Sequence, residues 1–262
     1  MVISKEPKNY DFIRFEATAS VAHITLNYPP YNVLTVPMMS ELAEAIESLD
    51  GRSDIKCILL DSSQPMFSAG ISLEDSKPER IFQTLDAFTR VFQASSELAK
   101  PLVVVVNGAA IGAGSELVAF GDVVIATPLA RFAQPEVKMG AFPPFAAIML
   151  PQVIGPKRAY ELILTGEAMT AEEARTLGFV NRVVAEKDLQ ATVREVLARI
   201  TQFSSPVLEM AKRVISTTIG LPLAQAIRKS QDIYLNQLAS LEDSKEGLQA
   251  VIEKRKPVWR NK

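Results

Sequence analysis

An α/β fold built on a mostly parallel sheet is the architecture this chain predicts, on three observations. Leu102 is followed by four valines, an almost unbroken β-branched run of the kind a strand needs when both faces are buried. Residues 55–60, IKCILL, form a second apolar run of strand length. Between and after these runs lie stretches with apolar residues at helical spacing. Strands alternating with helices imply right-handed β-α crossovers.

The elements follow in order. Two alternating strands, 12–16 and 21–26, flank the polar turn 17–20 as an antiparallel hairpin, which Asn27-Tyr28-Pro29-Pro30 ends. A helix is expected over 36–49, with Thr35 as N-cap and Pro37 in the first turn, where a missing N–H costs little. Met38, Leu42, Ala45, Ile46 and Leu49 give it one apolar face. The strand 55–60 leads into a loop of small residues, Phe67-Ser-Ala-Gly-Ile71. Ile81, Leu85, Phe88, Phe92 and Leu98 mark a long helix over 78–99 that returns to the strand 102–106. Asn107-Gly108 then breaks that strand, and small residues run on to Gly114. From Ser115 the pattern is helical until Gly121-Asp122.

The stretch 139–154 is apolar but broken by Pro143, Pro144 and Pro151. A helix over 156–164 stops at Thr165-Gly166. Thr170-Ala-Glu-Glu173 is a capping box that opens a short helix ending at Gly178, and 179–184 reads as a strand. Three helices close the chain: one from Ser205-Pro206, one from Leu221-Pro222 to about residue 238, and one over 242–256 stopped by Pro257. Residues 1–200 are thus expected to form the α/β core and 201–262 a helical appendage.

The chain's 262 residues leave ample room for a core. A net charge of −2 argues against a nucleic-acid binder that works through a broad basic surface. The single cysteine, Cys57, rules out an internal disulfide and sits in an apolar run, so an inert buried thiol is expected. The start, MVISKEPKNYDF, lacks the apolar segment of a signal peptide. No apolar run approaches the roughly 20 residues of a membrane-spanning helix. A soluble, cytoplasmic protein with neither nucleic acid nor membrane as partner is expected.

Candidate chemistry gathers at 101–136. A strand that runs into a Gly-rich turn and then a helix presents free N–H groups where partial positive charge collects. Such a place holds an anion, either a phosphate or an oxyanion formed during a reaction. The spacing Gly108-x-x-x-Gly112-x-Gly114 also resembles a dinucleotide-binding turn of the short-chain dehydrogenase kind. Here, however, about a hundred residues precede it, and none of the five tyrosines has a lysine four positions later. His23, the only histidine, rules out His-cluster metal sites and reads as a strand residue without a chemical role. Two carboxylates flank the anion site. Glu116 lies in the first turns of the helix, and Glu136 follows Gln134-Pro135, where the chain bends. Taken singly, one is a helix-dipole glutamate and the other a loop charge. Together, in an apolar cleft, they can divide acid and base roles.

The segments NGAAIGAGSELVAFGDVVIAT, RFAQPEVKMG, LILTGEAMTAEEARTLGFVNRVV, MFSAGI and EGLQAVIEKRKP, in this order apart from the earlier MFSAGI, resemble the enoyl-CoA hydratase/isomerase (crotonase) family. The resemblance covers nearly the whole chain. It implies a spiral of β-β-α units with a C-terminal helical region that mediates trimerisation, as a homotrimer or a dimer of trimers. It also implies a coenzyme A thioester as substrate and no metal or redox cofactor. It further implies that the N–H groups of Ile71 and Ala113 hold the thioester oxygen as it becomes an enolate, with Ala69 and Gly70 in the loop that meets coenzyme A. Ala113 stands where the family commonly has glycine, which keeps the N–H. In the same resemblance Glu116 and Glu136 occupy the places of two catalytic glutamates that hold one water, Glu116 as base and Glu136 as proton donor. Having both favours a hydratase over a double-bond isomerase. A non-catalytic acyl-CoA-binding subunit is the alternative of another class.

The chief departure is Phe142-Pro-Pro-Phe-Ala-Ala147, where many members carry a glycine-rich run. With the NYPPYNVLT segment it is similar to the cyclohexa-1,5-diene-1-carbonyl-CoA hydratases of aromatic degradation. The rings are expected either to reshape the acyl pocket or to be core.

Overall fold

The structure is a computed structural model that describes residues 9–18 and 20–262. The first eight residues, read above for a leader, and Ala19 of the expected hairpin turn lie outside the described residues.

The chain winds as a repeated strand–strand–helix unit. β1 (Ile13–Thr18) and β2 (Val21–Leu26) form the hairpin, followed by β3 (Val33–Leu34) and α1 (Val36–Glu47). The next turn of the spiral is β4 (Cys57–Ser62), β5 (Gly70–Ile71) and α2 (Ile81–Leu98). The third is β6 (Leu102–Val106), β7 (Ala109–Ile111) and α3 (Ala113–Ala119). β8 (Val123–Ala126) and β9 (Arg131–Ala133) open the fourth. It continues through a 3-10 turn, Glu136–Met139, then α4 (Ala146–Val153) and α5 (Pro156–Thr165). β10 (Ala168–Thr170), α6 (Ala171–Thr176), β11 (Arg182–Val183) and α7 (Glu186–Thr201) come next. α8 (Ser205–Thr218), α9 (Leu223–Asn236) and α10 (Glu242–Ile252) end the order.

Each unit gives its first strand to one sheet and its second to another. The larger sheet has the order β1-β2-β4-β6-β8-β11 and is parallel throughout except for the β1–β2 pair. The second strands pair as β3–β5 and as β7–β9–β10. A bridge between Ser68 and Ala110 joins these two groups. Successive turns therefore stack side by side, and the loops after β5 and β7 come to lie next to each other.

The all-buried pattern of β6 has a direct cause. Val104 and Val106 face the core made with Met38, Leu42 and Phe88 under α1 and α2. Val103 and Val105 face Leu189, Val193 and Val196 of α7 on the other side. A strand covered on both faces cannot alternate. Cys57 belongs to the second of these layers, and burial pushes its thiol up to about 12.

Several expectations are corrected. The small-residue stretch 107–114 is not all loop, because 109–111 form a strand and α3 begins at Ala113 rather than Ser115. The strand read over 179–184 shrinks to two residues, since Phe179 turns inward against Phe132 with ring centroids 5.1 Å apart. α4 runs through Pro151. α7 occupies a stretch to which the sequence reading assigns no element; its narrow apolar stripe is what covers the sheet. The last helix ends at Ile252 instead of near Lys256, where Lys254 takes a left-handed conformation. The Thr35 cap and the Thr170–Glu173 capping box form as expected.

Two lysines, Lys100 buried and Lys212 partly so, tie α8 to the strand starts. Lys100 donates to the Ile55 carbonyl at 2.9 Å and to Glu209 at 2.7 Å. Lys212 meets Asp122 at 2.7 Å. Among the described residues no helix is long and apolar enough to cross a membrane.

Candidate active site

The site is built where β5 and β7 lead into their loops. Asn32, fully buried, organises the first of these. Its side chain accepts the Tyr28 N–H at 2.7 Å and donates to Ser62 Oγ at 2.7 Å and the Phe67 carbonyl at 3.0 Å. Ser68 Oγ donates to the Asn32 carbonyl and accepts the Gly70 N–H at 3.1 Å. This network holds Ala69, Gly70 and Ile71 in register with β3. Composition offers no signal for Asn32 beyond its place after Pro-Pro-Tyr.

Gly70 has φ +89, and a β-carbon on it would stand 2.8 Å from the Ile111 carbonyl and 3.5 Å from the Ala113 nitrogen. The two backbones touch there, so only glycine fits. Ile71 and Ala113 are thereby brought to the same place from distant parts of the chain. Ala113 is the first residue of α3, so its N–H has no acceptor within the helix. The place where an anion site is expected thus has the first N–H of α3 beside the Gly70 backbone.

Glu116 comes from the first turn of α3 and points inward, 2% exposed. Its Oε1 accepts the N–H groups of Phe145 and Ala146 at 2.9 and 2.7 Å. Pro143 and Pro144 have no N–H to give, so these are the first donors at the start of α4. Burial pushes the Glu116 carboxyl up to about 7; the Ala146 N–H works against this, the nearby Glu136 charge adds to it, and the Phe145 N–H again opposes it.

Glu136 opens the 3-10 turn after β9. Its Oε1 lies 2.6 Å from where a β-carbon of Gly112 would be. Its Oε2 is buried without a hydrogen-bond partner. Burial raises its pKa as well. Gly112 also accepts the Glu116 N–H at 3.0 Å and donates to the Ala133 carbonyl at 2.9 Å. The two acids expected to act together are close enough for the Glu136 charge to act on Glu116.

Gln134 is a residue that sequence reasoning missed. Its side chain is completely buried, and neither amide atom has a partner, an unusual state for a buried amide. The available signal was its position two residues before Glu136. The two rings of the departing segment divide. Phe145 packs against Phe88 and Phe92 at 5.2 and 4.4 Å, whereas Phe142 is 69% exposed.

His23 stands apart from these groups. Its Nε2 is 2.9 Å from Asp61 and 3.2 Å from Thr25 Oγ1, and the hydrogen bond to Asp61 raises its pKa. Both partners approach the same ring nitrogen, whereas a relay to a hydroxyl nucleophile would need one on each.

Comparisons with known proteins bear on the fold and the family. The family model described as enoyl-CoA hydratase/isomerase matches residues 16–262. A probable mitochondrial enoyl-CoA hydratase of Dictyostelium discoideum is 32% identical, covering 99% of this chain and 96% of that protein. A cyclohexa-1,5-dienecarbonyl-CoA hydratase of Thauera aromatica is 28% identical, covering 94% and 95%. The crystal structure of an enoyl-CoA hydratase from Mycobacterium smegmatis superimposes with a TM-score of 0.89 at 29% identity, covering 95% of this chain and 99% of that one. The spiral of paired strands with its C-terminal helices is the crotonase fold, and the chain belongs to the enoyl-CoA hydratase/isomerase family.

Proposed function

We propose that the protein is a hydro-lyase that adds water to a 2-enoyl-CoA or cyclic dienoyl-CoA thioester. The observation that carries this reading is a half-buried Glu136, reaching over Gly112, whose charge acts on the buried Glu116 carboxyl, beside the contact between Gly70 and the start of α3. The thioester oxygen sits between the N–H groups of Ile71 and Ala113, with Ala69 and Gly70 shaping the coenzyme A loop. Glu116 takes a proton from water as the water oxygen bonds to the β-carbon. The double-bond electrons move to the thioester oxygen, and the enolate is held by the two amides. It collapses as the α-carbon takes a proton from Glu136. Two N–H bonds favour the charged form of Glu116, which suits a base, while Oε2 of Glu136 has no donor and suits an acid. Coenzyme A belongs to the substrate, and the reading calls for no separate cofactor.

The same reading takes residues 1–200 as the catalytic unit and 201–262 as the surface of a homotrimer or dimer of trimers. Ile219, Leu223, Ile227, Leu235, Leu248 and Val251 are all exposed on the last three helices and their connections, which supports it.

The test is incubation with crotonyl-CoA and with cyclohexadienoyl-CoA, following conjugated absorbance and product mass. Loss of conjugation with the mass gain of one water is the expected result. A shifted double bond without water uptake would make the protein an isomerase, and tight binding without turnover a non-catalytic acyl-CoA-binding subunit. The Thauera relative and the Phe142–Ala147 segment favour including the cyclic substrate.

A further inference from the structure

We propose that Phe145 is a positioning residue for Glu116, its ring locked in an aromatic cluster that aims its own backbone N–H at the carboxylate. This rests on Glu116 being the base.

The cluster has four rings. Phe88 and Phe92 of α2 lie 4.7 Å apart, and Phe145 sits 5.2 Å from the first and 4.4 Å from the second. Phe120 packs on Phe92 at 4.8 Å. Phe120 closes α3, the helix that carries Glu116, and Phe145 opens α4, the helix that supplies the donors. One block of rings therefore grips the acceptor's helix at one end and the donors' helix at the other. Phe88 is fully buried and Phe92 nearly so, which leaves the block little room to shift.

The way α4 begins leaves these two donors for the carboxylate. Phe145 caps α4 without a side-chain hydrogen bond of its own, and Pro143 and Pro144 before it supply no N–H. The next amide, Ala147, already donates to the Pro143 carbonyl. The Phe145 and Ala146 N–H groups are left, and both go to Glu116 Oε1.

The charged surroundings of Glu116 are simple. Among the described residues Glu136 is the one charged group that acts on it, α4 has no titratable side chain, and Arg90 of α2 is paired with Glu47 at the surface. A change in the two N–H bonds should therefore be visible as a change in the base's titration.

The experiment compares wild type, Phe145→Ala and Phe145→Leu in the intact chain. In Phe145→Ala the midpoint of the Glu116 carboxyl, followed by carbon-13 NMR with Glu116→Gln to assign the signal, should rise by about one pH unit. The kcat for hydration should then fall about tenfold at pH 6 and approach wild type at pH 9, with KM within about threefold, since only the ionised base is lost. Phe145→Leu refills the space and should recover most of both. A Glu116 titration unchanged in folded Phe145→Ala overturns the inference, as does a kcat lowered equally at every pH. The NMR midpoint is read without turnover, so an inactive wild type would defeat the hydratase reading while the midpoint still decides the role of Phe145.

Discussion

Glu136 lays its Oε1 where a β-carbon on Gly112 would come within 2.6 Å of it. Gly112 also has φ +53, a backbone conformation that favours glycine, so an added β-carbon would strain the turn and displace the carboxyl. Gly112→Ala should push the Glu136 carboxyl away from Glu116 and strain the turn. The expected result is a fall in kcat of about 10²-fold or more, with a stability loss of about 1–3 kcal/mol by denaturant titration. Wild-type turnover in this variant would show that the Glu136 placement does not matter.

Ala113→Pro tests the amide that begins α3. Proline is tolerated at the first position of a helix, so the fold should survive. The variant lacks the N–H, and kcat/KM should drop by about 10²–10³-fold, the usual effect of removing one oxyanion donor. Circular dichroism checks the fold, and near-normal kcat/KM would exclude Ala113 from the oxyanion hole.

Glu116→Gln should separate activity from stability. The folded carboxyl sits at about 7 against an ordinary value of 4.5, chiefly because it is buried. Between those values the folded chain keeps a proton that the unfolded chain has lost. The stability this contributes is complete below 4.5 and is lost as pH rises through about 7. Glutamine does not titrate, so the variant should become the more stable protein by roughly 1–3 kcal/mol above pH 7. The difference should fade as pH falls towards 4.5, while turnover above pH 7, where the wild-type base is ionised, drops by about 10²–10⁴-fold. Parallel stability curves for the two proteins from pH 4.5 to 8 would contradict a raised Glu116.

Light scattering examines the assembly. A trimer or larger mass is expected from subunits of 28.7 kDa. Leu248→Glu, on the exposed face of α10, should shift the mass towards one subunit without unfolding the chain. A wild type that is monomeric at every concentration would end the assembly proposal.

Much of this protein was decided locally. Val103 to Val106 can only be a strand buried on both sides, Thr35 and Thr170 can only be caps, and the helices with broad apolar faces declared themselves by spacing. Those signals are written within a few residues of one another, where steric preference and periodicity act. Even the two glutamates could be singled out, because both flank one glycine turn. What the linear order did not contain is contact between distant segments. Gly70 against Ile111, Glu136 over Gly112, and the Glu116 carboxylate under the start of α4 arise only when successive turns of the spiral stack. Burial then raises both carboxyls, since the cost of a charge depends on what surrounds it in space and not on its neighbours in sequence.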